Sequence, residues 1–254
     1  MNRLLERITA EKRRLVATLP ATPGTRTGPP PRPFAAAIAG GGVIAEVKRC
    51  SPSRPEGFPA AADPAALARV YHAAGAAAVS VVVDAPRFGT GPADIAPLRE
   101  ATPLPVLAKE FVLDVRQVWQ LWRAGADAVL LIVRLLDGAA LVRLLAAVRD
   151  LGMTALVECH TAAELARAGA AGATVVGVNN RDLDTLVTDP ERALALAAHR
   201  PAGALLVAES GLTDPDQLRR LRRAGVDAFL VGTHLLAADD PGAALAALVA
   251  GGRT

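Results

Sequence analysis

A phrase recurs four times along this chain: "AGAAAVSVVV" from Ala74, "AGADAVLLIV" from Ala124, "AGATVVGV" from Ala171 and "AGVDAFLVG" from Ala224. Each sets a glycine after a helix-like segment, then a run of Val, Leu or Ile. A glycine there suits a helix that ends in the left-handed conformation. The apolar run suits a parallel strand buried on both faces. No other feature limits the fold as tightly, because parallel strands need long crossovers and the repeat counts them. Gly75, Gly125, Gly172 and Gly225 stand 50, 47 and 53 residues apart. One βα unit takes roughly half of that, so each interval holds two units.

The intermediate strands are "PVLAK" from Pro105, "TALVE" from Thr154 and "ALLVAE" from Ala204, with "VIAEV" from Val43 as the first. Eight strands result, near 43–48, 77–83, 105–109, 128–133, 154–158, 174–179, 204–209 and 228–232. Between them, segments such as "DPAALARVYHAAG" and "DPDQLRRLRRAG" open on an Asp that can cap a helix and close on Gly. The pattern predicts an α/β fold, a (β/α)8 TIM barrel. A doubly wound open sheet is the alternative, but no GxGxxG turn follows the first strand.

Residues before the barrel break the repeat. Asn2 to Leu19 read as an additional N-terminal amphipathic helix, and six prolines crowd Pro20–Pro33. That stretch reads as a partly extended connector, either a passive linker or the tether of a helix that covers one mouth. The expected organisation is a single domain over 1–254, with helix and connector in 1–40 and the barrel in 41–254.

Composition excludes several functions. Of 254 residues, 52% are hydrophobic and 3% aromatic, and the net charge is +3. Basic residues are dispersed and aromatics for base stacking are few, so no nucleic-acid partner is expected. The longest apolar runs cannot span a bilayer, and the N-terminus lacks the apolar core of a secretion signal. Cys50 and Cys159 show no metal spacing and suit a reducing, cytoplasmic setting. No pair of the four histidines is spaced for a metal. His160 and His234 stand where they could line the mouth. Oligomeric state is left open.

The chemistry collects at the strand ends, where such barrels build their sites. Glu46 and Lys48 interrupt the apolar first strand and share a face. Lys109, Glu110 and Phe111 end the third strand, Glu158 the fifth, "NNRD" (Asn179 to Asp182) the sixth and "ESG" (Glu209 to Gly211) the seventh. Any one could be a solvated strand end. With "GT" (Gly232, Thr233) ending the eighth, six strands carry such tips at one mouth, which is better explained as an acid–base site, since burial and neighbours move pKa values toward neutrality. Ser210 and Gly211 after strand seven, with Gly232 and Thr233 after strand eight, occupy the usual phosphate position of such barrels.

Seven segments in order, "IAEVKRCSPS", "PVLAKEFVLD", "GADAVLLIV", "LVECHTAAEL", "VGVNNRDL", "AESGL" and "AFLVGTHLL", resemble those of the indole-3-glycerol phosphate synthase family. The resemblance spans nearly the whole chain, the N-terminal helix included. It implies a carboxy-lyase of tryptophan biosynthesis. Such an enzyme closes the pyrrole ring of 1-(2-carboxyphenylamino)-1-deoxyribulose 5-phosphate, releasing carbon dioxide and water, without cofactor or metal. It further implies Lys109 as general acid, Glu158 as base in dehydration, Glu46 as a carboxylate tuning its lysine neighbours, and Lys48 as anion holder or proton donor. Ser51, Asn179 and Arg181 would meet the substrate's carboxylate and hydroxyls, and Phe111 its aromatic ring. Ser210, Gly211, Gly232 and Thr233 would cradle phosphate. Departures are Glu110 for the usual Asp, Ala108 for a common basic residue, and Arg54 and Pro55 in a loop that closes over substrate in the family, where Pro55 is expected to add stiffness. Two alternatives stay open: phosphoribosylanthranilate isomerase, or a non-catalytic relative that binds a phosphorylated metabolite.

Overall fold

The computed structural model describes residues 3–26, 28–52 and 54–252. Eight parallel strands close in sequence order. They are β1 (Gly42–Val47), β2 (Ala78–Val82), β3 (Val106–Lys109), β4 (Ala128–Ile132), β5 (Thr154–Cys159), β6 (Val175–Asn179), β7 (Leu205–Glu209) and β8 (Ala228–Val231). Gly42 of β1 pairs with Ala228 of β8, so the sheet has no open edge. This is a (β/α)8 barrel, with each strand where the repeat places it.

The helices begin and end as their sequences dictate. Asp63, Asp114, Asp137 and Asp214 each accept a backbone N–H from the first turn of the helix that follows. Those donors have no partner within the helix itself. At the far ends Gly125 and Gly225 take φ values of 105° and 95°, which a Cβ would oppose.

Alternation divides every strand. Outward residues such as Val81, Leu131, Val157 and Val178 pack under the helices. Inward residues such as Ile44, Leu107, Leu156 and Leu230 fill the cylinder.

Two helices precede the barrel, α1 (Arg3–Thr18) and α2 (Phe34–Ile38). Asn2, where the sequence reading starts the first of them, lies outside the described residues. The second has no counterpart in that reading, because five residues carry too little periodicity to announce a helix. Its Phe34 and Ile38 are fully buried and join the interior cluster, closing the mouth at the strands' N-terminal ends. The proline-rich connector is not a passive linker. Arg26 donates to the carbonyls of Trp122, Gly125 and Ala126, and Arg32 to those of Arg99, Thr102 and Leu104. Both sets precede strands β3 and β4, so the connector is strapped to the closed mouth. Among the described residues no helix is long and apolar enough to cross a membrane.

Candidate active site

The parity that fills the cylinder with leucine places charge above it. Glu46 follows Ile44 on the inner face of β1, Lys109 follows Leu107 on β3, Glu158 follows Leu156 on β5, and Glu209 follows Val207 on β7. Lys48 lies one residue past β1 and folds back, with Nζ donating to Glu46 Oε1 at 2.6 Å. Lys109 Nζ donates to Glu209 Oε2 at 2.9 Å and lies 3.6 Å from Glu46 Oε2. One carboxylate, Glu46, therefore serves both lysines. Glu158 Oε1 and Glu209 Oε1 are buried with no hydrogen-bond partner among the described residues.

Two glycines make room for these acids. A Cβ on Gly177, on the inner face of β6, would lie 2.2 Å from Glu209 Oε1. One on Gly232 would lie 2.4 Å from Glu46 Oε1. Either side chain would displace a carboxylate, so the absence of a side chain shapes the site as much as the charges do.

The electrostatics follow from this crowding. Burial pushes the Lys109 ammonium toward neutrality, but Glu209, Glu46 and Glu158 outweigh it and hold the pKa above the ordinary lysine range. Glu46 resists the same burial: Lys48 and Lys109 carry its carboxyl down to about 2. Glu209 goes the other way. Burial and the neighbouring Glu158 charge push it up to about 7 against the pull of Lys109. Glu46 and Glu209 thus differ in proton affinity because Glu46 touches two cations and Glu209 only one.

A cavity of about 690 Å³ opens over the cluster, bordered by Glu46, Lys48, Lys109 and Phe111. A smaller recess of about 160 Å³ adjoins it, lined by Glu158, Asn179, Leu130 and Ile132. Ser51 and Arg181 border the larger space, as do Ser210, Gly211, Gly232 and Thr233. Ser210 and Gly211 both take left-handed backbone, with φ of 67° and 70°. Asn180 holds this turn, donating from Nδ2 to the Ser210 carbonyl at 2.9 Å. Such a curl gathers consecutive N–H groups into an anion-binding concavity. Asn179 Oδ1 accepts from the Arg181 amide at 2.9 Å, which fixes the start of the loop after β6.

The structure adds residues that the sequence reading did not assign to the site. Glu209 is the chief one; its place at the end of "LLVAE", two residues after inward Val207, was a usable signal. Leu5 and Ile8 of α1 line the cavity, so the leading helix covers the active mouth. Lys12 secures it there through Glu110, with Nζ 2.7 Å from Oε1 and 2.9 Å from Oε2, both side chains buried. Glu110 also accepts the Phe111 amide at 2.7 Å. Ala108 faces the helices in an apolar layer. The loop after β1 is pinned by a two-residue bridge between Ser51 and Arg54, and the Arg54 guanidinium stacks 5.1 Å from the Phe58 ring centre. His234 borders the cavity, whereas His160 is buried beside Glu158. Cys159 points outward into the core.

Lysines and carboxylates meeting under an open cavity at the C-terminal ends of eight parallel strands define an acid–base enzyme of the (β/α)8-barrel class. A profile of the indole-3-glycerol phosphate synthase family matches residues 5–248, and the chain belongs to that family. Proteins named indole-3-glycerol phosphate synthase are similar along most of its length. The one from Kineococcus radiotolerans is 49% identical over 83% of this chain and 76% of its own. The one from Roseiflexus castenholzii is 44% identical over 94% of both. Among solved structures, orotidine 5'-phosphate decarboxylase from Pyrococcus horikoshii superposes with a TM-score of 0.64 at 16% identity, covering 83% of this chain and 99% of that one. A 3-hexulose-6-phosphate synthase gives 0.65 at 19%, with the same coverage. These two share the barrel. The chain is a carboxy-lyase of the tryptophan pathway, acting on a phosphorylated small molecule.

Proposed function

We propose that the cluster around Lys109 carries out the family's ring closure. In that reaction the aromatic ring attacks the ribulose ketone, the carboxylate leaves as carbon dioxide, and the new hydroxyl departs as water. Lys109 acts as general acid on the ketone oxygen. Its carboxylate neighbours keep it charged, so the proton is present when substrate arrives, and Glu209 and Glu46 aim it into the cavity. Lys48, held by Glu46, meets the substrate's carboxylate and can supply the second proton. Glu158, which lines the smaller recess, takes the methylene proton during dehydration. Phe111 packs against the anthranilate ring. Ser51, Asn179 and Arg181 hold carboxylate and hydroxyl groups, and the turns at Ser210–Gly211 and Gly232–Thr233 hold the phosphate.

The observation that supports this most strongly is the contact of Lys109 with two carboxylates at the floor of an open cavity. A protein that only bound phosphate would need the turns after β7 and β8 but not these groups. The test supplies the carboxyphenylamino-deoxyribulose phosphate to purified protein and follows indole fluorescence. Product forms with wild type, and Lys109→Ala lowers turnover by about 10³-fold while a phosphate analogue binds within a few-fold of wild type. Equal losses in binding and turnover would reduce Lys109 to an anchor.

A further inference from the structure

His160 follows β5 with its side chain only 1% exposed, and neither ring nitrogen has a hydrogen-bond partner among the described residues. Buried polar atoms without partners are uncommon and costly. This ring lies between two carboxylates. Nε2 is 3.7 Å from Glu158 Oε1, and Nδ1 is 3.6 Å from Glu164 Oε2. Both gaps are slightly longer than a hydrogen bond, as is common in catalytic sites before substrate binds.

Local folding accounts for Glu164 but not for the imidazole. Thr161 Oγ1 accepts the Glu164 amide at 3.2 Å, and Glu164 Oε2 accepts the His160 amide at 2.6 Å. Thr161 thus caps the helix Ala162–Ala170, and Glu164 reaches back to the amide of the residue before the cap. This arrangement uses only the backbone of residue 160. An apolar side chain in the same place would escape the cost of burying two ring nitrogens.

We propose that His160 is a positioning residue for Glu158: as an imidazolium anchored by Glu164, it holds one carboxylate oxygen and leaves the other to the cavity. This rests on the functional reading above, in which Glu158 is the base. The groups facing the ring are Glu158 from β5, Glu164 from the following helix and Arg134 from the turn after β4, with Glu209 of β7 at longer range. Burial disfavours a charge on the ring, but Glu164 and Glu158 overcome both burial and Arg134 and raise its pKa. Arg134 is itself engaged, 3.5 Å from Glu164 Oε1 and 3.1 Å from Asp184. Rising pH therefore discharges the imidazolium and releases Glu158, which makes His160 an origin of an alkaline limb in turnover.

The experiment compares pH profiles of kcat and KM for wild type, His160→Ala, His160→Gln and Glu164→Gln. His160→Ala lowers kcat by about tenfold, less than the ~100-fold that a 1 Å misplacement of a reacting group costs, with KM held within twofold. His160→Gln, which can still donate to Glu158, recovers part of the loss and no longer shows the alkaline limb. Glu164→Gln can still accept the His160 amide but moves the limb to lower pH. As a readout that needs no turnover, nitrogen NMR of the His160 ring shows its titration falling to lower pH in Glu164→Gln. Wild-type kcat and profile in both His160 variants, parallel changes of kcat and KM, or an unmoved ring titration would each overturn the proposal. Wild-type protein that forms no indole product would overturn the functional reading, and the positioning role with it; turnover that is indifferent to His160 overturns the positioning role alone.

Discussion

The two mouths of this barrel both bury cations, and they use them in opposite ways. At the closed mouth Asp127 accepts from Arg99 Nε at 3.1 Å, from the Arg32 amide at 2.9 Å and from the Val106 amide at 2.9 Å. The guanidinium groups of Arg26 and Arg32 end on backbone carbonyls, and Phe34 and Ile38 fill the space beside them. At the open mouth the lysines are paired too, but Glu158 and Glu209 each keep a buried oxygen unpaired, and Glu158 lines a recess of the cavity. A saturated polar network rigidifies, whereas an unsaturated one bordering open space can exchange protons with a ligand. Charge at a barrel mouth is therefore uninformative until its partners are counted.

That contrast can be broken by substitution at each end. The largest effect is expected for Glu158→Gln, which lowers turnover by about 10² to 10³-fold with little change in melting temperature. At the closed mouth Asp127→Asn does the reverse, since it leaves buried arginines short of a counter-charge. Urea unfolding is expected to show a loss of about 3 kcal/mol, with turnover per folded molecule unchanged. A fall in turnover as large as that of Glu158→Gln would mean that the two mouths are not separate in function.

Two smaller effects sharpen the electrostatics. Glu209 is the largest of the three carboxylate influences that keep Lys109 charged. Removing its charge in Glu209→Gln lets burial count for more, so the ammonium loses its proton at lower pH. Nitrogen NMR of the Lys109 ammonium is expected to show its deprotonation at lower pH in Glu209→Gln than in wild type. The smallest effect concerns stability in acid. The Glu46 carboxyl titrates near 2 when folded, below its ordinary value. Its contribution is therefore complete above the ordinary carboxylate pKa and is lost as pH falls from there toward 2. Glu46→Gln flattens the fall of unfolding free energy over that acid range, measured by denaturant titration at successive pH values. An unchanged slope would show that Glu46 is not ionised through its two lysine contacts.

Most of the barrel was legible because its information is local. Glycines at helix ends, aspartates at helix starts and Val-rich runs are each read within a dozen residues, and together they located all eight strands. The charged strand tips were legible too, since period-two alternation placed Glu46 and Lys48 on one face. The short α2 was not, because its function is to plug a cylinder that exists only after closure. Glu209 was visible as a polar tip but carried no assignment; its pairing with Lys109 spans 100 residues. Gly177 gave no sign of its role either, because the carboxylate that needs its empty space comes from the neighbouring strand.

The sequence by itself determined the number, direction and facing of the strands, and with them the mouth at which the charged side chains collect. Only the tertiary structure decided which carboxylate touches two lysines, which two keep a bare oxygen, and whether Glu46 or Glu209 takes up a proton more readily. The physical reason is range. Backbone periodicity acts between neighbours in the chain, whereas proton affinity is set by burial and by charges a few ångströms away in space, drawn from β1, β3, β5 and β7.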